Sequence, residues 1–375
     1  MARSRSGIVE GPGLLPEPAT AARTAAAAPE RQASRLRRLV PAAVAVSVGT
    51  IIVLSVVHNA RGGNVLATLR LFDVRLLPLL LGLHLLMQVW WALRFRLLAR
   101  PLGCDVGFPR AQAAVTSGLF AAAVTPGRVG GEPWRIAYLY RSGASPAAAS
   151  RTILADRSVD ILFFVALGLL VVLALPRLFG SEGREVRALA VLALSGLLAI
   201  LAFLVLALAK PRPLAAAGGA VASAWDRLLR REPKDRSGKL EAFFSEVRSG
   251  LAALARTGKR RLALALVLSL LLWTTEFAVL HFTLQGFGHD VPFVAVYAAG
   301  VLVTMVASVP LLPGGSGVAE ITALAVLTPL APGLTPAFLV VWRGTTYYQD
   351  LLVGGVVTAA TLRRGARRRK PSRAR

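Results

Sequence analysis

Long apolar runs constrain this chain more than any other feature of its sequence. Several reach about 18 residues or more, and a helix of roughly 20 apolar residues crosses a hydrocarbon core of about 30 Å. The runs do not alternate between apolar and polar residues, as the strands of a membrane barrel do. The sequence therefore predicts an all-α, polytopic helical membrane protein. The predicted spans are Leu39–Val57, Leu76–Leu93, Ile161–Leu175 with its preceding turns, Ala188–Ala209, Leu262–Leu280 and Pro292–Leu312.

Shorter apolar pieces lie at Ala111–Val124, Val318–Leu330 and Pro336–Val357. The first is too short to cross the membrane unaided. It indicates a re-entrant or broken helix, which is tolerated where the backbone is buried in protein or lines a cavity. With the basic segments on the cytoplasmic side, an even number of crossings is needed on each side of the central basic segment, and we expect about eight spans.

The chain is strongly basic, with 44 Lys and Arg residues against 19 Asp and Glu residues and a formal net charge of +25. In a soluble protein this excess would suggest nucleic-acid binding. Here, however, 55% of the residues are hydrophobic, the mean hydropathy is +0.60, and the basic residues adjoin apolar runs. That pattern is typical of topology signals that contact anionic lipid headgroups. We therefore expect no nucleic-acid partner, a multi-pass location in the cell inner (plasma) membrane, and cytoplasmic N- and C-termini.

Charge and hydropathy divide the chain into five parts. Residues 1–38 are a disordered basic arm, 39–209 a first transmembrane half, 210–261 a basic amphipathic linker, 262–362 a second transmembrane half, and 363–375 a basic tail. The linker is either a soluble hairpin or an amphipathic helix on the inner leaflet. A single cysteine excludes an intrachain disulfide. The four histidines lack metal-ligand spacing and no GxxxxGK(S/T) loop occurs, so neither a metal nor a cofactor is expected.

A glycine-rich, charged motif interrupts the apolar pattern twice. It reads TPGRVGGE up to Glu132 and LPGGSGVAE up to Glu320, with each glutamate six or seven residues after the proline. About two dozen residues later an arginine is embedded in an apolar run, Arg157 in the first case and Arg343 in the second. The repetition predicts two re-entrant or broken-helix elements in duplicated halves, a recurring plan of transporters. A plain surface turn is the alternative for each motif.

The first motif is predicted to open a helix. Pro133 suits a first helical turn, so Gly131 and Glu132 would lie at the N-terminus of that helix. Helix N-termini offer free N–H groups and partial positive charge, and Arg128 and Arg135 add full charge. That combination favours a phosphate ligand.

Several further charges fall inside apolar runs. An ionisable residue exposed to lipid at the centre of a span costs at least about 2.5 kcal/mol, so such groups should face a partner or a wet cavity. The alternative is that they pair with one another and only lock the bundle. Trp90, Trp91 and Trp134 are expected to be interfacial anchors rather than ligand contacts. The candidate substrate-binding residues are Gly127, Arg128, Gly130, Gly131, Glu132, Arg135, Asp156, Arg157, Asp160, Glu276, Gly314, Gly315, Gly317, Glu320, Arg343, Tyr347 and Asp350.

Together, PGRVGGEPWR, YLYRSGAS, ILADRSVD, PLLPGGSGVAE and VVWRGTTYYQDLLVGG resemble the flippase-like family, the transmembrane part of lysylphosphatidylglycerol synthases and their stand-alone relatives. The resemblance runs from about Leu39 to Leu362. It implies a membrane domain with duplicated halves and re-entrant elements, which in the bacterial type moves aminoacylated phosphatidylglycerol between leaflets. By this resemblance, the family's recurring charged positions correspond to Arg128, Glu132, Arg157, Glu320 and Arg343.

The chain departs from the family pattern in three respects. An extra glycine precedes Glu132, and Asp156 stands where the family commonly has glutamate beside the arginine. No soluble acyltransferase domain follows the last apolar run, so lysyl transfer has no visible catalytic domain and the chain is not expected to be an enzyme.

The preferred hypothesis is a transporter for the headgroup of an anionic or aminoacylated phospholipid, or of a polyprenyl-phosphate-linked lipid. Arg157 and Arg343 would bind its phosphate, whereas Glu132, Glu320 and Glu276 would accept a cationic substituent or carry a proton.

Two other hypotheses stay open. One is a membrane-embedded transferase that acts on a lipid-linked phosphate, with Glu132 or Asp156 as its base. The other is a membrane partner of a separate lipid-modifying synthase or glycosyltransferase, with the segment 210–261 as the docking surface.

Overall fold

The computed structural model describes residues 65–125, 128, 130–179, 258–308, 318–335 and 337–368, and scattered positions between 188 and 252. Within these residues the chain forms helices and turns and no strand, which confirms the all-α class. The helices are α1 (Val65–Leu69), α2 (Leu77–Ala99), α3 (Phe108–Ala123), α4 (Gly131–Arg141), α5 (Pro146–Phe179), α6 (Lys259–Gly286), α7 (Phe293–Ser308), α8 (Val318–Leu327), α9 (Ala337–Arg343) and α10 (Gln349–Arg368), with a π-helical turn, Gly344–Tyr348, between the last two.

Three segments of the described chain are long and apolar enough to cross a membrane. They are Val74–Leu102, Pro146–Ala174 and Lys259–Gly286, and each contains or largely covers one of the predicted spans. The membrane-protein class is thus confirmed, whereas the expected count of about eight spans is not. Of the other predicted spans, Leu39–Val57 lies outside the described residues, and Ala188–Ala209 is described only at scattered helical positions.

Helices α2 and α6 run antiparallel to each other at the centre of the fold. At one end, the Asp73 N–H donates to the Gly286 carbonyl at 2.9 Å. At the other end, Leu98 lies in a buried apolar cluster with Ala265 of α6 and Ala155 of α5. Small residues at these contacts let helix backbones approach closely, which is how helices associate where lipid removes the hydrophobic driving force. The three long helices therefore form one packed bundle.

Two pairs of short helices pack on this bundle. In the first, α4 folds back on α3, and a Cβ at Gly131 would lie 3.1 Å from the Ala122 Cβ and 3.2 Å from the Gly118 carbonyl oxygen. In the second, α8 packs against α7. Helix α3 has 16 residues, about 24 Å at 1.5 Å per residue, so it is shorter than a hydrocarbon core. A re-entrant path for these helices stays a prediction.

The same order of helices occurs twice along the chain. A long span (α2 or α6) is followed by a short helix (α3 or α7), a shorter helix after the motif (α4 or α8), and then a helix that carries the embedded arginine (α5 or α9). The internal duplication itself stays a prediction. The basic arm 1–38 and most of the linker 210–261 lie outside the described residues. Helix α10 continues to Arg368, into the predicted tail.

A close contact between α10 and α3, one from each half, generates a stability prediction. A Cβ at Gly354 of α10 would lie 2.7 Å from both the Phe120 Cβ and the Thr116 carbonyl oxygen of α3, whereas a Cβ at Gly355 meets the Phe120 ring at 3.4 Å. Both Gly→Ala changes gain about 1 kcal/mol of helix propensity. Gly354→Ala should nevertheless destabilise the protein by about 1–3 kcal/mol through overpacking, and Gly355→Ala should not.

Thermal unfolding in detergent measures this difference. The single cysteine, Cys104, is buried, so its reaction with a thiol-specific dye on heating reports unfolding. Equal unfolding midpoints for the two alanine variants would contradict the close approach of α3 and α10.

Candidate functional site

A stripe of polar side chains on one face of α2 organises the site. His84, Gln88, Trp91 and Arg94 follow each other at intervals of three or four residues, which places them on one side of a helix. Although α2 is an apolar span, His84 is only 2% exposed and Gln88 and Arg94 are fully buried. Buried polar groups inside a span require partners, and the neighbouring helices supply them.

Arg94 binds the other two spans of the bundle. Its Nε donates to Oδ1 of Asp156 at 3.0 Å and its Nη2 donates to Oδ2 of Asp160 at 3.0 Å, both on α5. Its Nη1 donates to the Ser269 hydroxyl of α6 at 2.8 Å. Ser269 is the eleventh residue of the 28-residue helix that begins at Lys259, so this contact lies about 15 Å from the helix start and inside the span. One guanidinium thus holds three membrane helices together.

Indole groups complete the shell around these acids. The Trp91 Nε1 donates to Oδ2 of Asp156 at 2.9 Å, and the Trp273 Nε1 lies 3.4 Å from Oδ1 of Asp160. The prediction that Trp91 is an interfacial anchor is therefore wrong, because its N–H serves a buried carboxylate. Trp91 also stacks under Arg135, whose guanidinium carbon is 4.8 Å from the indole ring centroid.

The first motif joins this network through Glu132, the second residue of α4. Its Oε1 accepts from the Arg157 Nη2, and the Nη2 of Arg135 lies 3.4 Å from the same oxygen. The Nη1 of Arg135 is 3.6 Å from Oδ2 of Asp156, and the Nη1 of Arg157 is 3.9 Å from Oδ2 of Asp160. Three arginines and three carboxylates therefore form a connected network, here called the charge network, in which the formal charges cancel. Its members are Arg94, Glu132, Arg135, Asp156, Arg157 and Asp160.

The second half repeats one element of this arrangement. The Nε of Arg343 on α9 lies 2.9 Å from Oε1 of Glu320, the third residue of α8. In each half, then, a glutamate in the first turn of the short helix after the motif pairs with an arginine on the helix that follows. The Arg343 guanidinium also lies over the Trp342 ring, 4.6 Å from its centroid.

A second buried cluster lies nearer the N-terminal end of α2. The Nδ1 of His84 is 2.9 Å from Oε2 of Glu276 on α6, and its Nε2 is 3.0 Å from Oδ1 of Asp350 on α10. Gln88 donates to the same oxygen of Asp350 at 3.1 Å and accepts from the Thr116 hydroxyl at 2.8 Å. We call His84, Glu276 and Asp350 the histidine triad. It connects both halves of the chain.

The remaining predicted residues differ in their placement. Tyr347, in the π-helical turn, donates its hydroxyl to the Ala123 carbonyl at the end of α3, beside the first motif. Arg128 is exposed in the motif turn with a φ of 57°, an uncommon conformation for a residue with a side chain. Gly130 and Gly131 form the entry to α4, where the Gly130 N–H donates to the Thr125 hydroxyl at 2.9 Å. Gly127, Gly314, Gly315 and Gly317 lie outside the described residues.

His84, Gln88 and Arg94 are not among the residues predicted from the sequence. His84 lacked metal-ligand spacing, and Arg94 stood just beyond the predicted span, where it resembled a topology arginine like Arg96. The helical spacing of polar residues within one apolar run is the signal that could have found them.

A recess of about 250 Å³ lies away from both clusters. It is found where the C-terminal end of α2 meets the start of α6, and Arg96, Arg100 and Arg261 line it together with apolar side chains. No member of the charge network lines this recess.

The chain is similar in sequence to known membrane proteins. The family model for the "Lysylphosphatidylglycerol synthase TM region" matches residues 41–354. A UPF0104 membrane protein of Archaeoglobus fulgidus is 26% identical over 285 residues, which cover 74% of this chain and 85% of that protein. UPF0104 membrane proteins of Methanothermobacter thermautotrophicus (24% over 285 residues; 74% and 82%) and Pyrococcus horikoshii (22% over 298 residues; 76% and 87%) are also similar. No solved structure matches the chain.

The role of Arg94 predicts a large loss of stability when its charge is removed. Arg94→Met leaves Asp156 and Asp160 without their buried partner, and breaking a buried pair from one side costs about 3–5 kcal/mol. Arg96→Met, two residues along the same helix but exposed, should cost less than about 0.5 kcal/mol. Adding Asp160→Asn to Arg94→Met should recover part of the loss, because it restores the balance of charge. Cys104 labelling on heating compares the variants, and equal midpoints for Arg94→Met and Arg96→Met would refute the prediction.

Proposed function

Because this chain belongs to the lysylphosphatidylglycerol synthase transmembrane-region family, we propose that it is a flippase-like transporter that moves a lipid headgroup between leaflets. Its substrate class is an anionic or aminoacylated phospholipid, or a polyprenyl-phosphate-linked lipid. The observation that carries the proposal is the charge network, whose Arg94, Asp156 and Asp160 are buried between apolar spans. Ionisable groups inside spans are costly and mark substrate or ion pathways.

Stabilisation of the bundle does not by itself explain why these ion pairs are present. A buried ion pair is often replaced by apolar residues with no loss of stability, because removing charges from water costs about as much as their attraction returns. A bundle that needed only packing would have no use for six charges between its spans. This argument favours a functional role over the alternative that the charges merely lock the helices.

The Glu132–Arg157 ion pair is the place where an incoming headgroup can exchange with a protein side chain. The side chains of this pair are 28% and 44% exposed, whereas Asp156 and Arg94 are buried, so a headgroup reaches the Glu132–Arg157 pair first. A phosphate offers more acceptor oxygens than a carboxylate, and it can replace Glu132 on both Arg157 and Arg135. Arg135 has spare capacity, because its buried Nε makes no hydrogen bond among the described residues.

The carboxylate released by this exchange can then bind a cation. Glu132, freed from two arginines, is positioned to accept the ammonium group of an aminoacylated headgroup. The acyl tails stay in lipid throughout, so only the headgroup must be desolvated. Phosphate on the arginines and ammonium on the glutamate leave no buried charge unpaired.

The Glu320–Arg343 pair of the second half can exchange with a phosphate in the same way, but this pair is less exposed. The Arg343 and Glu320 side chains are only 13% and 7% exposed. A transporter built from two related halves works by opening its site to one side at a time. Unequal exposure of equivalent Glu–Arg pairs supports such a mechanism, with the first half as the accessible side.

We propose no enzymatic reaction for this site. Glu132 and Asp156, the two candidate bases of a transferase, both have their oxygens bound by arginine N–H groups.

Headgroup movement in liposomes tests the proposal. Arg157→Gln and Arg343→Gln should each slow the movement of a fluorescently labelled anionic phospholipid by roughly tenfold, equivalent to about 1.4 kcal/mol of lost phosphate binding in the rate-limiting state. Arg141→Gln, at the exposed end of α4, is the matched control and should leave the rate unchanged. Equal rates in empty and protein-containing vesicles, across several anionic and aminoacylated lipids, would rule out the transport function.

Reversing one ion pair separates phosphate binding from bundle locking. In the double variant Glu320→Arg with Arg343→Glu, the pair can reform with the charges exchanged. If the pair only locks the bundle, thermal stability and headgroup movement should recover together. We expect stability to recover and movement to stay slow, because the arginine then lies on α8 and no longer faces the incoming phosphate as before.

A further inference from the structure

We propose that the histidine triad is a proton-binding site inside the membrane, and that the proton it exchanges is the coupling ion for headgroup movement. The coupling half of this inference rests on the proposed transport function, whereas the proton site stands on geometry alone.

The triad joins three helices through one imidazole ring. Its two ring nitrogens face Oε2 of Glu276 on α6 and Oδ1 of Asp350 on α10, at 2.9 and 3.0 Å. The side chains of His84 and Asp350 are 3% and 5% exposed, and that of Glu276 is 21% exposed. Burial of the ring and of Asp350 excludes water from the Nε2 contact, whereas the partly exposed Glu276 leaves the Nδ1 contact accessible from one side.

Counting protons shows what these two contacts require. A neutral imidazole has one N–H, so it can donate to only one of the two carboxylates. The other ring nitrogen then presents a lone pair, and its contact is favourable only if the facing oxygen carries a proton. Both contacts therefore need two protons among the three groups, either on a doubly protonated ring or shared between a neutral ring and one carboxylic acid. The net charge is −1 in both cases, from one positive and two negative groups or from a single carboxylate.

Loss of one of these protons must break a contact. Two acceptors would then face each other at about 3 Å in a dry site, which is repulsive. The chemistry is a simple proton transfer to water and back, with no other bond formed or broken. Release of the proton thus breaks one of the two contacts that join α2 to α6 and α10.

The surroundings indicate which contact opens. Oδ1 of Asp350 also accepts from Gln88, which in turn accepts from Thr116 of α3, so Asp350 is held as an acceptor from two sides. Among the described residues, no comparable donor besides His84 holds the Glu276 carboxylate. Glu276 is also the most exposed member of the triad. The proton therefore enters and leaves at Glu276.

Among the described residues, no further charged side chain beside the triad offsets the charge of this proton. In the described part of the chain, α6 faces His84 with Glu276 and α10 faces it with Asp350, while α3 contributes only the uncharged Thr116 to the cluster. The nearest cation along α2, Arg94, is bound to Asp156 and Asp160.

Helix α6 connects the triad to the charge network. Ser269, Trp273 and Glu276 follow each other at intervals of four and three residues, and they contact Arg94, Asp160 and His84 respectively. When Glu276 separates from His84, the same helix face loosens from the charge network one turn away. Protonation of the triad is thereby linked to a helix movement that exposes or closes the headgroup site.

Infrared difference spectroscopy on the full chain in bilayers tests the proton site directly. On a change between acid and neutral pH, the wild type should show a carboxyl protonation signal that Glu276→Gln abolishes and His84→Gln shifts to a different pH. His281, also on α6, packs its ring on Phe282 and Phe293 instead of on the triad, so His281→Gln should keep the wild-type signal. Identical spectra in all four proteins would overturn the proton site, and Cys104 labelling on heating identifies any variant that fails to fold.

Headgroup movement under a pH gradient tests the coupling. With one proton per headgroup, the steady-state distribution of labelled lipid between leaflets should change about tenfold per pH unit across the membrane. Glu276→Gln should abolish this dependence, and His281→Gln should keep it. Movement that ignores the gradient in the wild type would overturn the coupling and leave the transport function intact. If no headgroup moves under any condition, transport and coupling both fail, and the infrared result still decides the proton site.

Discussion

The contact between Arg94 and its acids on α5 is the interaction on which the rest of the structure depends. A guanidinium offers five N–H donors in a planar fork, so one side chain can hold Asp156, Asp160 and Ser269 at the same time. A lysine has only three donors, so it could not bind both oxygens of Asp160 together with Asp156 and Ser269, as Arg94 does. Because the three spans meet at this point, the position of α5 fixes Arg157, and Arg157 in turn fixes Glu132 and the entry of α4.

The sequence predicted the elements of this site better than their connections. Apolar runs located the long helices, and the repeated motif located both Glu–Arg pairs, since each glutamate and arginine stood out against an apolar background. Arg94 and His84 were missed for physical reasons. Arg94 ends its apolar run, where arginines usually reach the interface, and its burial comes from acids more than 60 residues away. His84 has its partners 192 and 266 residues away, and no local spacing reveals such contacts.

Each half contains a Glu–Arg pair at a similar place in its order of helices, but the two pairs differ in their surroundings. Both halves place a glutamate in the first turn of a short helix, where the helix dipole favours a negative charge, and both pair it with an arginine on the next helix. The first half embeds its pair in the charge network, through Arg135, Asp156 and Asp160. The second half instead continues through the π-helical turn to Asp350 and the histidine triad, and π-helical turns often occur at functional sites. The proposed roles follow: each half contributes one arginine to phosphate binding, and the second half also contributes Glu276 and Asp350 to proton exchange.

On the proposed mechanism, the charge of the headgroup determines whether a proton is needed. The charge network is neutral, with three positive and three negative members, and a buried unpaired charge is far more costly than a pair. An aminoacylated headgroup carries both a phosphate and an ammonium group, so it can exchange with Glu132 and Arg157 and leave every charge compensated. A purely anionic headgroup adds one negative charge that no protein cation balances. A proton bound at Glu276 during the same cycle would offset that charge, because it makes the histidine triad less negative one helical turn from the network. The net charge of the headgroup therefore determines how many protons must bind for the buried charges to stay balanced.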